Sequence, residues 1–317
     1  MKIAAFVHYY IPHRNAGSET MLHAMLARLV KDGHEVVAFV TDNPAPNGLY
    51  ERDGVQVANL ENFVIAQPII EQFAPDLIIT HHDNAMRAAR LSKKLSCPFV
   101  FIVHNDFESN ERLLDLNPDL TVFNTRWINR KWASKVQRSV VIHPPVWADQ
   151  HWSPRGNAVT LVNLNESKGA GLLYWLARNM PDVEFIGVEG GHGIQIFRDE
   201  FPNVSFVRQT DNMRDDVWAR TRILLMPSLY ESYGMAGVEA LASGIPVIAN
   251  PTPGLLESLS YGGLFVARED GQGWIDAIDS LADPDTYSAA SALAFKRSEE
   301  LNPGIELDEF AELIRSL

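Results

Sequence analysis

Short apolar runs alternate with stretches whose apolar residues recur every three to four positions, and the alternation occurs twice along the chain. The first series predicts strands at 3–8, 35–41, 76–80, 98–103, 120–123 and 140–143, with a helix over 18–31. The second predicts strands at 158–162, 183–186, 204–207, 223–226, 246–249 and 264–266, and a helix over 235–242 that Gly244 and Pro246 terminate. Strands alternating with helices mean mostly parallel sheets covered on both faces. The fold expected is α/β, with two Rossmann-like doubly wound domains and ligand between them at the carboxyl ends of the strands. Pro144 and Pro145 break the first series, and the polar stretch 148–157 reads as a linker. This divides the chain into an N-terminal domain over 1–147 and a C-terminal domain over 148–300, with a further helix within 301–317.

The composition suits two ordinary cores: 317 residues, 46% hydrophobic and 21% charged. No apolar run approaches the length of a membrane span, and 3–7 is too short for a signal core, so a cytoplasmic location is expected. The single Cys97 excludes an internal disulfide and, just before Pro98, reads as a buried inert thiol.

Charge changes the picture more. The net charge of −13 is uneven: residues 1–150 carry 15 Lys plus Arg against 16 Asp plus Glu, and residues 151–317 carry 12 against 24. The acidic half is unsuited to attracting DNA. In the first half Arg126, Arg130, Lys131, Lys135 and Arg138 form a basic run with Trp127 and Trp132 and no acid among them. Arg87, Arg90, Lys93 and Lys94 form a second, shorter run. A basic helix with aromatics suits peripheral contact with anionic lipid or nucleic-acid phosphates; a solvated face anchored by its Trp residues is the alternative.

The densest chemistry lies at Glu231-Ser232-Tyr233-Gly234 and at Glu239, two carboxylates spanning the junction between a buried strand and a helix. Early helical N–H groups, here those of Gly234, Met235, Ala236 and Gly237, are unpaired within the helix and can hold phosphate or sugar oxygens. An ionised carboxylate accepts hydrogen bonds from two neighbouring hydroxyls, as a ribose or hexose diol requires. The pattern reads as a nucleotide-sugar site, with solvated acids at a helix start as the plainer reading.

The segment from Pro227 to Ile248 resembles the signature of retaining glycosyltransferases of family 4, which have the GT-B fold. The resemblance implies transfer of a sugar from a nucleoside-diphosphate sugar to an acceptor hydroxyl, with Glu239 on the ribose, Glu231 on the sugar, no metal or other cofactor, and a terminal helix within 301–317 that packs back on the N-terminal domain. The loop from Tyr10 to Glu19 looks like the family's glycine-containing loop before its first helix, with Gly17 at the close approach and Ser18 as a cap. It carries Ala16-Gly17 where the family usually has two glycines. His104, in His104-Asn105-Asp106 at a strand end, resembles the histidine that reaches the transferred sugar, with Asp106 orienting it or its loop. Lys168-Gly169 matches the family's diphosphate-binding lysine. Asn163 stands where the typical member has Arg, so either Lys168 and the helix-end N–H groups suffice or another cation such as Arg14 or Arg208 supplies the missing charge. Gly254 looks like the glycine of a late donor loop, and Glu257 reads as a helix-start residue.

His81 and His82 look like metal ligands, but neighbours on an extended strand point apart, so no metal is assigned. Asp283-Pro284-Asp285 reads as a turn. The acceptor is left open among small molecules, lipid-linked compounds and nucleic acid. Two other readings remain: a nucleotide-sugar hydrolase or epimerase of the same architecture, and a non-catalytic sugar-nucleotide scaffold, which Asn163 makes conceivable.

Overall fold

A computed structural model describes residues 1–41, 46–191 and 193–317. The chain forms two compact units, one joining Met1–Pro145 to Pro303–Leu317, the other Val146–Asn302. The first unit contains β1 (Lys2–Val7), α1 (Gly17–Lys31), β2 (Glu35–Thr41), β3 (Gly48–Arg52), β4 (Val55–Leu60), α2 (Phe63–Phe73) and β5 (Leu77–His81). It continues through α3 (Ala85–Leu95), β6 (Phe99–Val103), α4 (Glu108–Leu113), β7 (Leu120–Phe123), α5 (Arg126–Trp132) and β8 (Ser139–Val141). Its sheet has the order β3-β4-β2-β1-β5-β6-β7-β8.

The second unit begins with α6 (Ala148–His151), β9 (Ala158–Val162), α7 (Ala170–Asn179), β10 (Phe185–Val188), β11 (Val204–Val207), α8 (Met213–Asp216) and β12 (Thr221–Met226). Then come α9 (Met235–Ala242), β13 (Val247–Ala249), α10 (Pro253–Leu259), β14 (Gly263–Phe265), α11 (Gly271–Ser280) and α12 (Pro284–Glu300). This sheet runs β11-β10-β9-β12-β13-β14, all parallel. The final helix, α13 (Gly304–Arg315), belongs to the first unit.

The strands are apolar on both sides because helices cover both faces. Along β1, Ile3, Ala5 and Val7 enter one cluster with Met25 and Leu29 of α1, while Ala4 and Phe6 enter the other with Ile70 of α2 and Ala88 of α3. In the second unit Val159 and Leu161 pack with Leu173 and Trp274, and Leu224 and Met226 pack with Leu241 and Leu255. α13 buries Leu307, Phe310, Ala311 and Ile314 in the cluster of α1. Polar contacts fix its rotation: Arg28 donates to Asp308 at 2.7 Å, and the His143 main-chain N–H donates to Glu306 at 2.7 Å.

Two expectations need correction, and one pairing lay outside them. The stretch 148–157 is not a free linker: it opens with α6, and Ser153, buried, donates its main-chain N–H to Ser243 Oγ at 2.9 Å. The strand expected at 183–186 starts at Phe185, because the Val183 N–H turns back to Met180 O. The antiparallel pair β3–β4 was not foreseen, although Asp53 and Gly54 at its turn, with φ of 50° and 80°, form a hairpin dipeptide that could have revealed it.

Strand order locates the crevices. In the first sheet the chain winds outward from β1 through β2 and from β5 through β6, so the order reverses between β1 and β5. In the second it reverses between β9 and β12. The carboxyl ends of these two pairs are where doubly wound sheets accept ligands.

Candidate functional site

At the β9/β12 switch point, the loop after β9 carries Lys168 and the loop after β12 carries Glu231. The Lys168 Nζ donates to Glu231 Oε1, and Ser228 Oγ donates to the same oxygen at 2.8 Å. Both charged side chains are mostly buried, at 26% and 14% exposure, so the pair is weakly screened. Asn165 fixes the lysine turn by accepting from the Lys168 N–H at 2.9 Å.

Two glycines let the Glu231 loop take its course. Gly234 has φ +88° and ends the loop as the N-terminal cap of α9, a conformation L side chains rarely adopt. A Cβ at Gly254 would stand 2.3 Å from Glu231 O and 2.4 Å from Ser232 O. Gly254 thus leaves room for the main chain of Glu231 and Ser232. Gly237 N–H bonds to Gly234 O at 3.0 Å, so of the first-turn donors of α9 those of Met235 and Ala236 remain for a ligand.

Glu239 occupies a separate neighbourhood on α9. Its Oε2 lies 3.7 Å from His151 Nδ1, outside hydrogen-bond distance. Burial raises its pKa to about 7; the Trp218 indole N–H opposes that rise without reaching hydrogen-bond geometry. The His151 imidazole is itself held below its usual range by burial.

Asn163 does not stand in for an arginine. It has φ +74°, and its Oδ1 accepts from Asn165 Nδ2 at 3.0 Å and Gln195 Nε2 at 2.9 Å. Gln195 in turn accepts from the N–H groups of Leu164 and Gly190 at 2.9 and 2.8 Å, so the amide serves loop architecture. Arg208 is also displaced from the Lys168 cluster. It follows edge strand β11, lies 80% exposed, stacks on Phe197 and pairs with Glu189. Arg14 lies in the first unit, over the Tyr9 ring.

The cation that does join the Lys168 loop is Arg268, which sequence reasoning missed. Its guanidinium donates to the carbonyls of Ser167 at 3.1 Å, Glu166 at 2.6 Å and Pro227, clamping the Lys168 loop to the end of β12. No local pattern marks it, because its partners are main-chain atoms that only folding gathers. Glu257, also in this unit, lies within α10.

In the first unit His104 follows β6 and is 7% exposed. Its Nε2 shares a 2.9 Å hydrogen bond with His81 Nδ1, and its carbonyl accepts from Asn124. His81 therefore orients His104; Asp106 accepts instead from Lys131 at 2.6 Å. Burial holds both imidazoles well below their usual pKa and puts His82 at about 4, with neighbouring rings adding to each depression. All three are neutral near pH 7. His104 thus offers hydrogen bonding and no positive charge.

His81 and His82 do not point apart. The φ of +53° at His82 turns its ring back, so the two centroids lie 4.6 Å apart. Candidate ligand nitrogens of His81, His82 and His104 lie within 4.8 Å of one another. The hydrogen bond already accounts for the closest pair.

Gly17 opens α1, and Ala16 is its N-terminal cap, with no side chain to bond the helix. Ser18, expected to cap, lies inside α1 and donates to Glu19 at 2.9 Å. The basic run is largely neutralised: Lys131 pairs with Asp106, Lys135 with Glu111 and Arg126 with Glu306, while Trp132 is buried. Among the described residues no helix is long and apolar enough to cross a membrane. Cys97 is half-buried, and burial raises its thiol pKa, as an inert side chain requires.

Two family models match the chain, one described as Glycosyltransferase Family 4 over residues 15–148 and one as Glycosyl transferases group 1 over residues 176–283. A D-inositol 3-phosphate glycosyltransferase of Corynebacterium urealyticum is 33% identical over 104 residues, which are 32% of this chain and 24% of that protein. The match thus spans about a quarter of that relative's length. Sucrose-phosphate synthase from Thermosynechococcus elongatus superposes with a TM-score of 0.80 at 16% identity, covering 100% of this chain and 99% of the other. Anabaena HepE, in complex with UDP-glucose, superposes at 0.79 with 18% identity and full coverage of both chains. The chain belongs to the family-4, group 1 glycosyltransferases and has their GT-B fold.

Proposed function

We propose that this protein moves a glycosyl group from a nucleoside-diphosphate sugar to an acceptor hydroxyl, with retention at the anomeric carbon. The carrying observation is the Lys168–Glu231 pair at the β9/β12 switch point, at the end of the loop that leads into α9. A lysine already drawn to a carboxylate is poised to exchange that partner for a diphosphate, freeing Glu231 to accept from sugar hydroxyls. Glu239 would hold the ribose diol; with a pKa near 7 it can accept or donate a hydrogen bond. Met235 and Ala236 would add main-chain N–H groups.

In the reaction, the bond from the anomeric carbon to the diphosphate oxygen breaks and the acceptor oxygen bonds that carbon on the same face. The acceptor proton passes to the departing phosphate oxygen. The Lys168 ammonium stabilises the leaving charge, which is where fixed charges contribute most to catalysis. His104 would hydrogen-bond the transferred sugar through Nδ1, since its Nε2 is committed to His81. No metal is needed in this scheme.

The test is thermal stabilisation across a panel of uridine, guanosine and adenosine diphosphate sugars, then turnover with an acceptor panel. The UDP-glucose complex of HepE makes a uridine donor the first to try. Glu231→Gln should retain nucleotide binding and lose transfer. Equal, low turnover in wild type and variant would favour a binding scaffold. Release of free or epimerised sugar without acceptor would favour a hydrolase or epimerase.

A further inference from the structure

At the other switch point, between β1 and β5, a cavity of about 470 Å³ opens, lined by His8, Asp83, Asn84, Met86, Arg87 and Arg90. Its volume is that of a small-molecule site. Its charge is unusual for this protein, whose net charge is −13. Elsewhere in the first unit, Arg28, Lys94, Arg112, Arg126, Lys131 and Lys135 each meet a carboxylate. Among the described residues Arg87 and Arg90 meet none, and Arg87 is instead steadied over the Phe63 ring at 5.1 Å. Asp83 is the one acid in the lining.

The two arginines are also misplaced for helix stability. They stand three positions apart on one face in the opening turns of α3, whose first turn contains no acid. Cations there oppose the positive end of the helix dipole, and an anion would relieve them. A further donor goes unused: Asn84 is 3% exposed, lines the cavity and has no hydrogen-bond partner for its Nδ2. Two forked guanidiniums, a helix start and a spare amide suit the several oxygens of a phosphate.

We propose that this cavity binds a phosphate group carried by the acceptor. The inference rests on the glycosyl-transfer reading and names the chemical class of its second substrate. His8 joins the cavity to the histidine cluster, with ring centroids 5.6 Å from His8 to His82 and 5.1 Å from His82 to His104. A phosphate anchored on Arg87 and Arg90 would leave the body of the acceptor toward His104, where its hydroxyl must react. The basic run Arg126 to Arg138 cannot serve this role as well, because Glu306, Asp106 and Glu111 already occupy three of its cations.

The experiment is calorimetric titration of the full chain with inorganic phosphate, glucose 6-phosphate and glucose, at matched ionic strength. Saturating UDP occupies the nucleotide site, so phosphate cannot report on Lys168. A parallel series in Lys168→Gln serves if UDP does not bind. Phosphatidylcholine vesicles with and without phosphatidic acid form the second arm. Wild type should bind phosphate and glucose 6-phosphate but not glucose. Arg87→Gln and Arg90→Gln should each weaken binding about tenfold or more, with UDP affinity unchanged as the folding control. Binding confined to glucose 6-phosphate assigns a soluble acceptor; binding confined to phosphatidic acid vesicles assigns a lipid headgroup. Wild type that binds none of phosphate, glucose 6-phosphate and phosphatidic acid vesicles, or a variant carrying both Arg87→Gln and Arg90→Gln with undiminished affinity, overturns the site. Neither result touches the donor reading, which stands or falls with nucleotide-sugar binding and Glu231→Gln.

Discussion

Burial keeps Glu239 protonated to a pKa of about 7, well above the usual carboxylate range, so the folded protein holds a proton there that the unfolded chain has released. Stability therefore falls as pH rises through that window, by up to roughly 3 kcal/mol. Glu239→Gln should remove this slope, leaving the variant more stable than wild type at about pH 8 and closest to it near pH 5. Urea midpoints across the range check this; parallel slopes would refute the burial argument. Lys168 makes a different prediction. Replacing it with Gln should lower turnover about 10²- to 10³-fold, as loss of one charge stabiliser typically does, with a smaller loss of nucleotide affinity. At this scale the sequence singled out Lys168, Glu231 and His104 as candidates but not their partners. Ser228 and His81 are bonded to them through contacts that local spacing does not encode.

At the scale of elements, the candidate donor site depends on two loops held in register by Arg268. Arg268→Gln removes three charge-assisted bonds to main-chain carbonyls and should cost about 2–4 kcal/mol while lowering turnover. Arg268→Lys should not rescue it, because a single ammonium cannot span the planar fork. Chemical denaturation and steady-state kinetics on both variants separate the two effects. Gly254→Ala should displace the Glu231 main chain, since the new methyl would stand 2.3 Å from Glu231 O. Its expected signature is a fall in kcat larger than the loss of stability explains. Strand positions were legible because parallel strands are apolar throughout. The β3–β4 hairpin was marked only by its Asp53-Gly54 turn, and α6 by nothing local, since a polar segment acquires order from what it packs against.

For the whole molecule, the sequence-distant α13 completes the first unit's core. Phe310 is fully buried among residues of that core, so Phe310→Ala should destabilise the first unit by about 3–5 kcal/mol. Thermal unfolding with UDP present and absent checks this, because a nucleotide bound in the second unit should not restore the loss. A chain ending at Asn302 should expose the apolar face of α1 and aggregate. By itself the sequence determined the α/β class, the two sheets and the family, and it singled out Glu231, Glu239, Lys168 and His104 as candidates, because hydrophobic period and short motifs are local properties. Tertiary structure alone decided that Asn163 supports a loop, that Arg208 stands apart while Arg268 clamps the Lys168 loop, and that Arg87 and Arg90 lack the acids that neutralise the other basic run. Those outcomes depend on which distant atoms share a strand end, and one-dimensional spacing does not contain that information.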